Sequence, residues 1–153
     1  MSGLLHQATC VAIDGRALLI EGPPGSGKSS LALALIDRGA TLVGDDGVLL
    51  ESRAGVLLAS PAPATAGKLE VRNLGLLEFP HSAEVAVALM LSLDPEAERW
   101  IEAAGTCQRG GIALPLVRLW PETPVLQLRA ELALSRYGLP VTDALSPAAK
   151  RAQ

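Results

Sequence analysis

Short apolar runs separated by turn residues recur along most of the chain, and they predict a sheet-rich protein with three helical segments. Residues 4–13 and 17–21 flank Asp14-Gly15, the signature of a hairpin closed by a type I′ turn. Residues 31–36 are apolar on almost every side, which predicts a helix buried against a sheet, and Gly39 stands at its usual stop position. A short strand over 41–46 ends in two carboxylates, with Gly44 where an apolar residue is expected. Segments 47–50 and 55–59, joined across Ser52-Arg53-Ala54, read as a second hairpin. Residues 60–67 form a Pro-rich loop, and 68–79 mix apolar positions with Glu70, Arg72 and Glu78. Further on, 85–93 predict a buried strand and 94–104 a short helix, with Asp94 as N-cap and Pro95 at its first position. Residues 112–119 predict a last strand broken at Pro115, 125–136 a closing helix, and 140–153 a loose tail. No internal repeat is visible.

Composition narrows the class. A chain of 153 residues with 49% hydrophobic and 19% charged positions is long and apolar enough for one sizeable core, which excludes a disordered chain. The formal net charge of -3 offers no electrostatic ground for a nucleic acid or membrane partner. Residues 1–9 carry no basic leader, and the longest apolar stretch, 85–93, is too short to span a bilayer, so a cytoplasmic protein is expected. Cys10 and Cys107 lie far apart without metal-ligand spacing, as two thiols of a reducing compartment would.

One stretch carries chemistry. Gly22-Pro23-Pro24-Gly25-Ser26-Gly27-Lys28-Ser29 fills every fixed position of the phosphate-binding loop G-x-x-x-x-G-K-[ST], between the apolar run 17–20 and the apolar helical segment 31–36. Gly25 and Gly27 permit positive φ, so successive N–H groups can converge on one anion, while Pro23 and Pro24 stiffen the approach. Lys28 is placed to meet the β- and γ-phosphates, Ser29 to ligate Mg²⁺, and the helix N-terminus adds its partial positive charge. The Pro-rich loop 60–67 is expected to move over this site. Asp45 and Asp46 end the next strand, where a carboxylate holds the metal's water shell and a second can take a proton from an attacking hydroxyl. Taken without Lys28, Asp45-Asp46-Gly47 reads as an ordinary turn.

Together, the hairpin, Gly22 to Ser29, Leu35-Ile36-Asp37-Arg38-Gly39, Leu42-Val43-Gly44-Asp45-Asp46 and Gly67-Lys68-Leu69-Glu70-Val71-Arg72 resemble the catalytic domain of HPr kinase/phosphorylase, over the first half of the chain. The resemblance implies an α/β fold: a P-loop-containing mixed β-sheet core similar to phosphoenolpyruvate carboxykinase, with the loop entered through the hairpin. It implies a catalytic domain over residues 1–139, in a truncated form that lacks the N-terminal domain. The implied activity is an ATP- and Mg²⁺-dependent serine kinase acting on an HPr-like carrier of the phosphotransferase system. Phosphorylase activity, driven by phosphate and releasing pyrophosphate, and homo-oligomers belong to the same family picture. Lys28, Asp45, Asp46 and Arg118 are then the catalytic set, and Ser29, Asp45 and Glu70 the metal side. His6, which also reads as an ordinary strand histidine, joins the loop residues and Ser30 at the phosphates, and Arg72 partners Glu70 or a phosphate. Asn73 replaces a common glycine, and Leu114-Pro115-Leu116-Val117-Arg118-Leu119-Trp120 replaces the family's later basic motif, with Arg118 in place of its lost cation.

Two other readings fit the loop: a P-loop small-molecule kinase, for which the arginines are too scattered to form a lid, and a non-catalytic nucleotide sensor. A GTPase lacks support because no Asn-Lys-x-Asp motif occurs.

Overall fold

The first hairpin fixes the register on which the site depends. Asp14 and Gly15 adopt left-handed φ values of 50° and 80°, as a type I′ turn requires. They lock β2 (Thr9–Ile13) antiparallel to β3 (Arg16–Glu21), with Thr9 opposite Ile20. The structure, a computed structural model, describes residues 3–141. Part of the expected tail, 142–153, lies outside the described residues.

Residues 4–13 do not form one strand. Both neighbours of β2 stop at this end, β3 with Ile20 opposite Thr9 and β4 (Thr41–Gly44) with Gly44 opposite Cys10, which leaves the upstream segment no strand to pair with there. It breaks at Gln7-Ala8, and β1 (Leu4–His6) pairs instead with β5 (Val48–Arg53), His6 opposite Val48. β5 and β6 (Val56–Pro61) form the second expected hairpin, its turn sited at Ala54-Gly55, where φ is 54° and 77°.

The sheet is mixed and has nine strands. At its centre, β9 (Val85–Leu93) runs parallel to β3 and meets β6 at its N-terminal end and β11 (Ile112–Leu119) at its C-terminal end. The sheet therefore divides along β9 and curls. Strand alternation builds two cores. Leu18 and Ile20 of β3 join Leu31, Ala32 and Leu35 of α1 (Lys28–Asp37) and Ala130 and Leu134 of α2 (Leu126–Tyr137). Ala17 and Leu19 face the other way, into an interior closed by Val48, Leu57 and Leu114. α1 ends as predicted, with Gly39 at φ 112°, its N–H on Ile36 O and the Ala40 N–H on Leu35 O.

Two further expectations fail. Residues 94–104 form turns rather than a helix: Asp94 caps a single turn, accepting from the Glu96 and Ala97 N–H groups. The segment buries little beyond Ala97 and leaves Trp100 exposed, so no apolar stripe stabilises a helical nucleus. β11 is continuous through Pro115, which pairs with Thr106 of β10 (Gly105–Arg109) just before pairing with β9 begins at Leu116; the missing donor falls where only one neighbour is hydrogen-bonded. β10 itself carries no recognisable strand pattern.

Residues 68–79 resolve into a small hairpin of β7 (Lys68–Val71) and β8 (Gly75–Glu78), turned at Asn73 with φ 73°. Fully buried Leu69 and partly buried Val71 pack on the helical core. Alternation therefore turns Glu70 away from it.

Candidate functional site

Strand β3 runs directly into the glycine-rich loop, and sterics explain the loop's first residue. A Cβ on Gly22 would stand 2.6 Å from Ser26 Oγ and 3.2 Å from Leu93 Cβ. Gly25 and Gly27 carry the expected positive φ, 80° and 99°. The Ser26 N–H closes the loop onto Pro23 O at 3.1 Å. Lys28 Nζ lies back on the loop, donating to Gly22 O at 2.9 Å and to Pro23 O at 3.3 Å.

The second shoulder is the β4–β5 turn. Gly44, unexpected in a strand, is required because a Cβ there would meet Val48 Cγ1 at 2.5 Å and Gly47 O at 2.6 Å. This turn delivers Asp45 to the helix: Ser29 Oγ donates to Asp45 Oδ1 at 2.7 Å, and Thr9 Oγ1 donates to the same oxygen at 3.1 Å. The Glu70 N–H donates to Asp45 Oδ2 at 3.0 Å, which ties the β7–β8 hairpin to the site. Asp46 takes a left-handed φ of 59°, and its N–H donates to Thr9 Oγ1 at 3.4 Å. No described group donates to its carboxylate.

Pro24, Gly25, Gly27, Lys28, Ser29 and Ser30 thus share a cleft of about 200 Å³ with Asp45, Asp46, Glu70 and Arg72. Two cations face three carboxylates there. The Pro-rich segment, which contains a 3₁₀ turn at Pro63–Thr65, does not line it.

Two sequence-predicted residues stand elsewhere. His6 does not line the cleft: its Nε2 lies 2.5 Å from Glu21 Oε2, at the residue that leads into Gly22. Arg109 clamps the same carboxylate, with Nη2 to Oε1 at 2.6 Å and Nε to Oε2 at 2.9 Å. Burial opposes charge on Glu21, but the hydrogen bonds from Arg109 and His6 outweigh it and hold the carboxyl below its ordinary range. Arg118 lies in a separate depression with Trp120.

Thr9, Glu21 and Arg109 carry structural weight that the sequence reading missed. The two-residue turn at Asp14-Gly15 was a usable signal for Thr9, because it fixes the register that brings this residue beside the loop's root. Arg109 had no signal, since β10 has none.

Two thiols are present and free: Cys10 is buried, Cys107 half-buried, and burial raises both above the ordinary thiol range. No described helix is long and apolar enough to cross a membrane.

Comparison with known proteins identifies the family and the fold. The model of the family described as HPr Serine kinase C-terminal domain matches residues 3–85, more than half of the chain. A protein named HPr kinase/phosphorylase from Clostridium tetani is 46% identical over 70 residues, which is 46% of this chain and 23% of that protein. A protein of the same name from Clostridium novyi is 44% identical over 70 residues, with the same coverage. The chain thus matches about a quarter of the length of these curated relatives. A solved structure entitled "Structure of the Hpr(Ser) kinase/phosphatase from Coxiella burnetii" superposes with a TM-score of 0.77 at 26% identity, covering 86% of this chain and 94% of that one. With glycine loop, paired aspartates and Glu70 hairpin all inside the matched region, the chain belongs to the HPr Serine kinase C-terminal domain family.

Proposed function

We propose that the chain is an ATP- and Mg²⁺-dependent kinase that phosphorylates a serine of an HPr-like carrier protein. The observation that supports it best is the placement of Asp45 on Ser29 inside the same cleft as Lys28 and Asp46. Three carboxylates beside a loop built for phosphates would repel a triphosphate by themselves, so the donor set calls for a cation. Ser29 Oγ and Asp45 are hard oxygen ligands, and Mg²⁺ characteristically takes one or two carboxylates, keeping water and phosphate for its other positions. When bound, Mg²⁺ neutralises phosphate charge.

The chain's own residues divide the remaining work. The loop N–H groups and Lys28 hold the β- and γ-phosphates; Lys28 reaches them by leaving the Gly22 and Pro23 carbonyls. Both Asp45 oxygens are engaged, by Ser29 and Thr9 on one side and by the Glu70 N–H on the other, and a carboxylate held fixed beside Ser29 supports a metal-side role for Asp45. Asp46, free of such donors and held at a positive φ, is the base that accepts the serine hydroxyl proton as the oxygen attacks the γ-phosphorus and ADP leaves. Arg72 is placed to steady the transferring group. A reducing cytoplasmic setting accords with two free thiols.

The test is transfer from γ-labelled ATP to purified carrier protein with Mg²⁺, with the label located by mass spectrometry. Label on a carrier serine, absent with Lys28→Ala, is expected. ATP binding without transfer to the carrier would overturn the reading in favour of a sensor or another substrate.

A further inference from the structure

Outside the cleft, the described chain carries a second group of polar side chains whose chemistry the kinase reading leaves unused. Arg99, Arg118 and Arg129 face one depression of about 360 Å³, together with Trp120 and a single acidic residue, Glu98. None of the three guanidiniums makes an ion pair with a described carboxylate, although Arg38, Arg53 and Arg109 all do. In a chain of net charge -3 this is an excess of unspent positive charge at one spot.

Trp120 is the second half of the observation. The residue is 39% exposed, yet its indole N–H donates to Ala97 O at 2.6 Å, so its orientation is fixed before any ligand arrives. A locked indole beside guanidinium planes is a surface for a flat, electron-rich ring joined to an anion.

Location adds a third element. β3, β9 and β11 run parallel, and Glu21 pairs with Ser92, which pairs with Arg118. Arg118 is therefore two strand spacings, roughly 10 Å, from the residue that leads into the phosphate loop. Both lie at the carboxyl ends of parallel strands, the edge at which open α/β sheets bind ligands.

We propose that the Arg99–Arg118–Trp120–Arg129 depression binds the nucleobase end of a nucleotide, with the base stacked on Trp120 and the sugar-phosphate held by the arginines. The proposal rests on the nucleotide-dependent reading above. Its ligand has two sources: the ATP whose phosphates occupy the loop, or a second nucleotide bound independently.

The experiment uses the full chain with Trp100→Phe, which replaces a residue 78% exposed and leaves Trp120 as the only tryptophan. Trp120 fluorescence, excited beyond adenine absorbance, is followed at constant ionic strength during titration with ATP and with inorganic tripolyphosphate, and calorimetry records total binding. Saturable quenching by ATP but not by tripolyphosphate is expected, with the midpoint at least tenfold higher in Arg118→Gln/Arg129→Gln. A parallel rise of the midpoint in Lys28→Ala identifies the base as that of the loop nucleotide, and an unchanged midpoint identifies a second nucleotide. Calorimetric ATP binding with silent Trp120, an equal response to tripolyphosphate, or indifference to the arginine substitutions overturns the proposal while leaving the kinase reading standing. Absence of any ATP binding overturns both. Circular dichroism of each variant separates loss of binding from loss of fold.

Discussion

Ser29 at the first turn of α1 and Asp45 at the end of β4 are joined by a 2.7 Å hydrogen bond across sixteen residues of sequence. The bond couples the phosphate loop to the aspartate pair. Asp45→Asn keeps the shape but halves the anionic character of the pair. Phosphotransfer is expected to fall at least a hundredfold, with a raised Mg²⁺ requirement, read from rate against Mg²⁺ concentration. A rate unchanged at all Mg²⁺ levels would remove Asp45 from the metal side.

Asp46 separates base from ligand. Asp46→Asn is expected to lower kcat by about 10²–10⁴ while ATP affinity stays within severalfold, because general-base catalysis acts in the chemical step. A loss confined to ATP affinity would contradict the assignment.

The Glu21 clamp makes a pH prediction. Its carboxyl is held below the ordinary value by Arg109 and His6, so it binds fewer protons folded than unfolded. The resulting stability is fully present above the unfolded value of about 4.5 and is lost as pH falls through the lower folded value. Urea unfolding of wild type and Glu21→Gln should therefore differ most near neutrality and converge in acid. A gap that widens on acidification would reverse the sign and refute the clamp.

Gly44→Ala tests the turn that delivers the aspartates. The added Cβ would stand 2.6 Å from the Gly47 carbonyl oxygen, and backbone cannot swing aside as a side chain can. A destabilisation of about 1–3 kcal/mol is expected from strain of this kind, visible as a lower Tm together with reduced transfer activity.

Leu69→Ala tests the small hairpin. Leu69 is fully buried in the helical core, and truncation should cost about 2–5 kcal/mol. Because the Glu70 N–H holds Asp45, Mg²⁺ dependence should weaken in the molecules that remain folded. Stability lost without any change in Mg²⁺ response would show the hairpin to be packing alone.

Local chemistry made much of this protein legible from its sequence. The loop needs particular residues at fixed spacing, the two-residue turn at Asp14-Gly15 dictates its own geometry, and α1 stops at Gly39 because a left-handed residue ends a helix there. Strand β9 announced itself by a hydrophobic run interrupted only at Ser92, as a strand buried on both faces does. What tertiary structure alone decided were pairings at long range. Nothing local says that residues 4–6 desert β2 for β5, that 94–104 lack a surface on which to be helical, or that Arg109 reaches Glu21 across 88 residues. Strand edges are interchangeable in sequence and are allotted by competition among all strands at once, so His6 and Arg118 left the places given to them while Lys28, Ser29, Asp45, Asp46 and Glu70 converged.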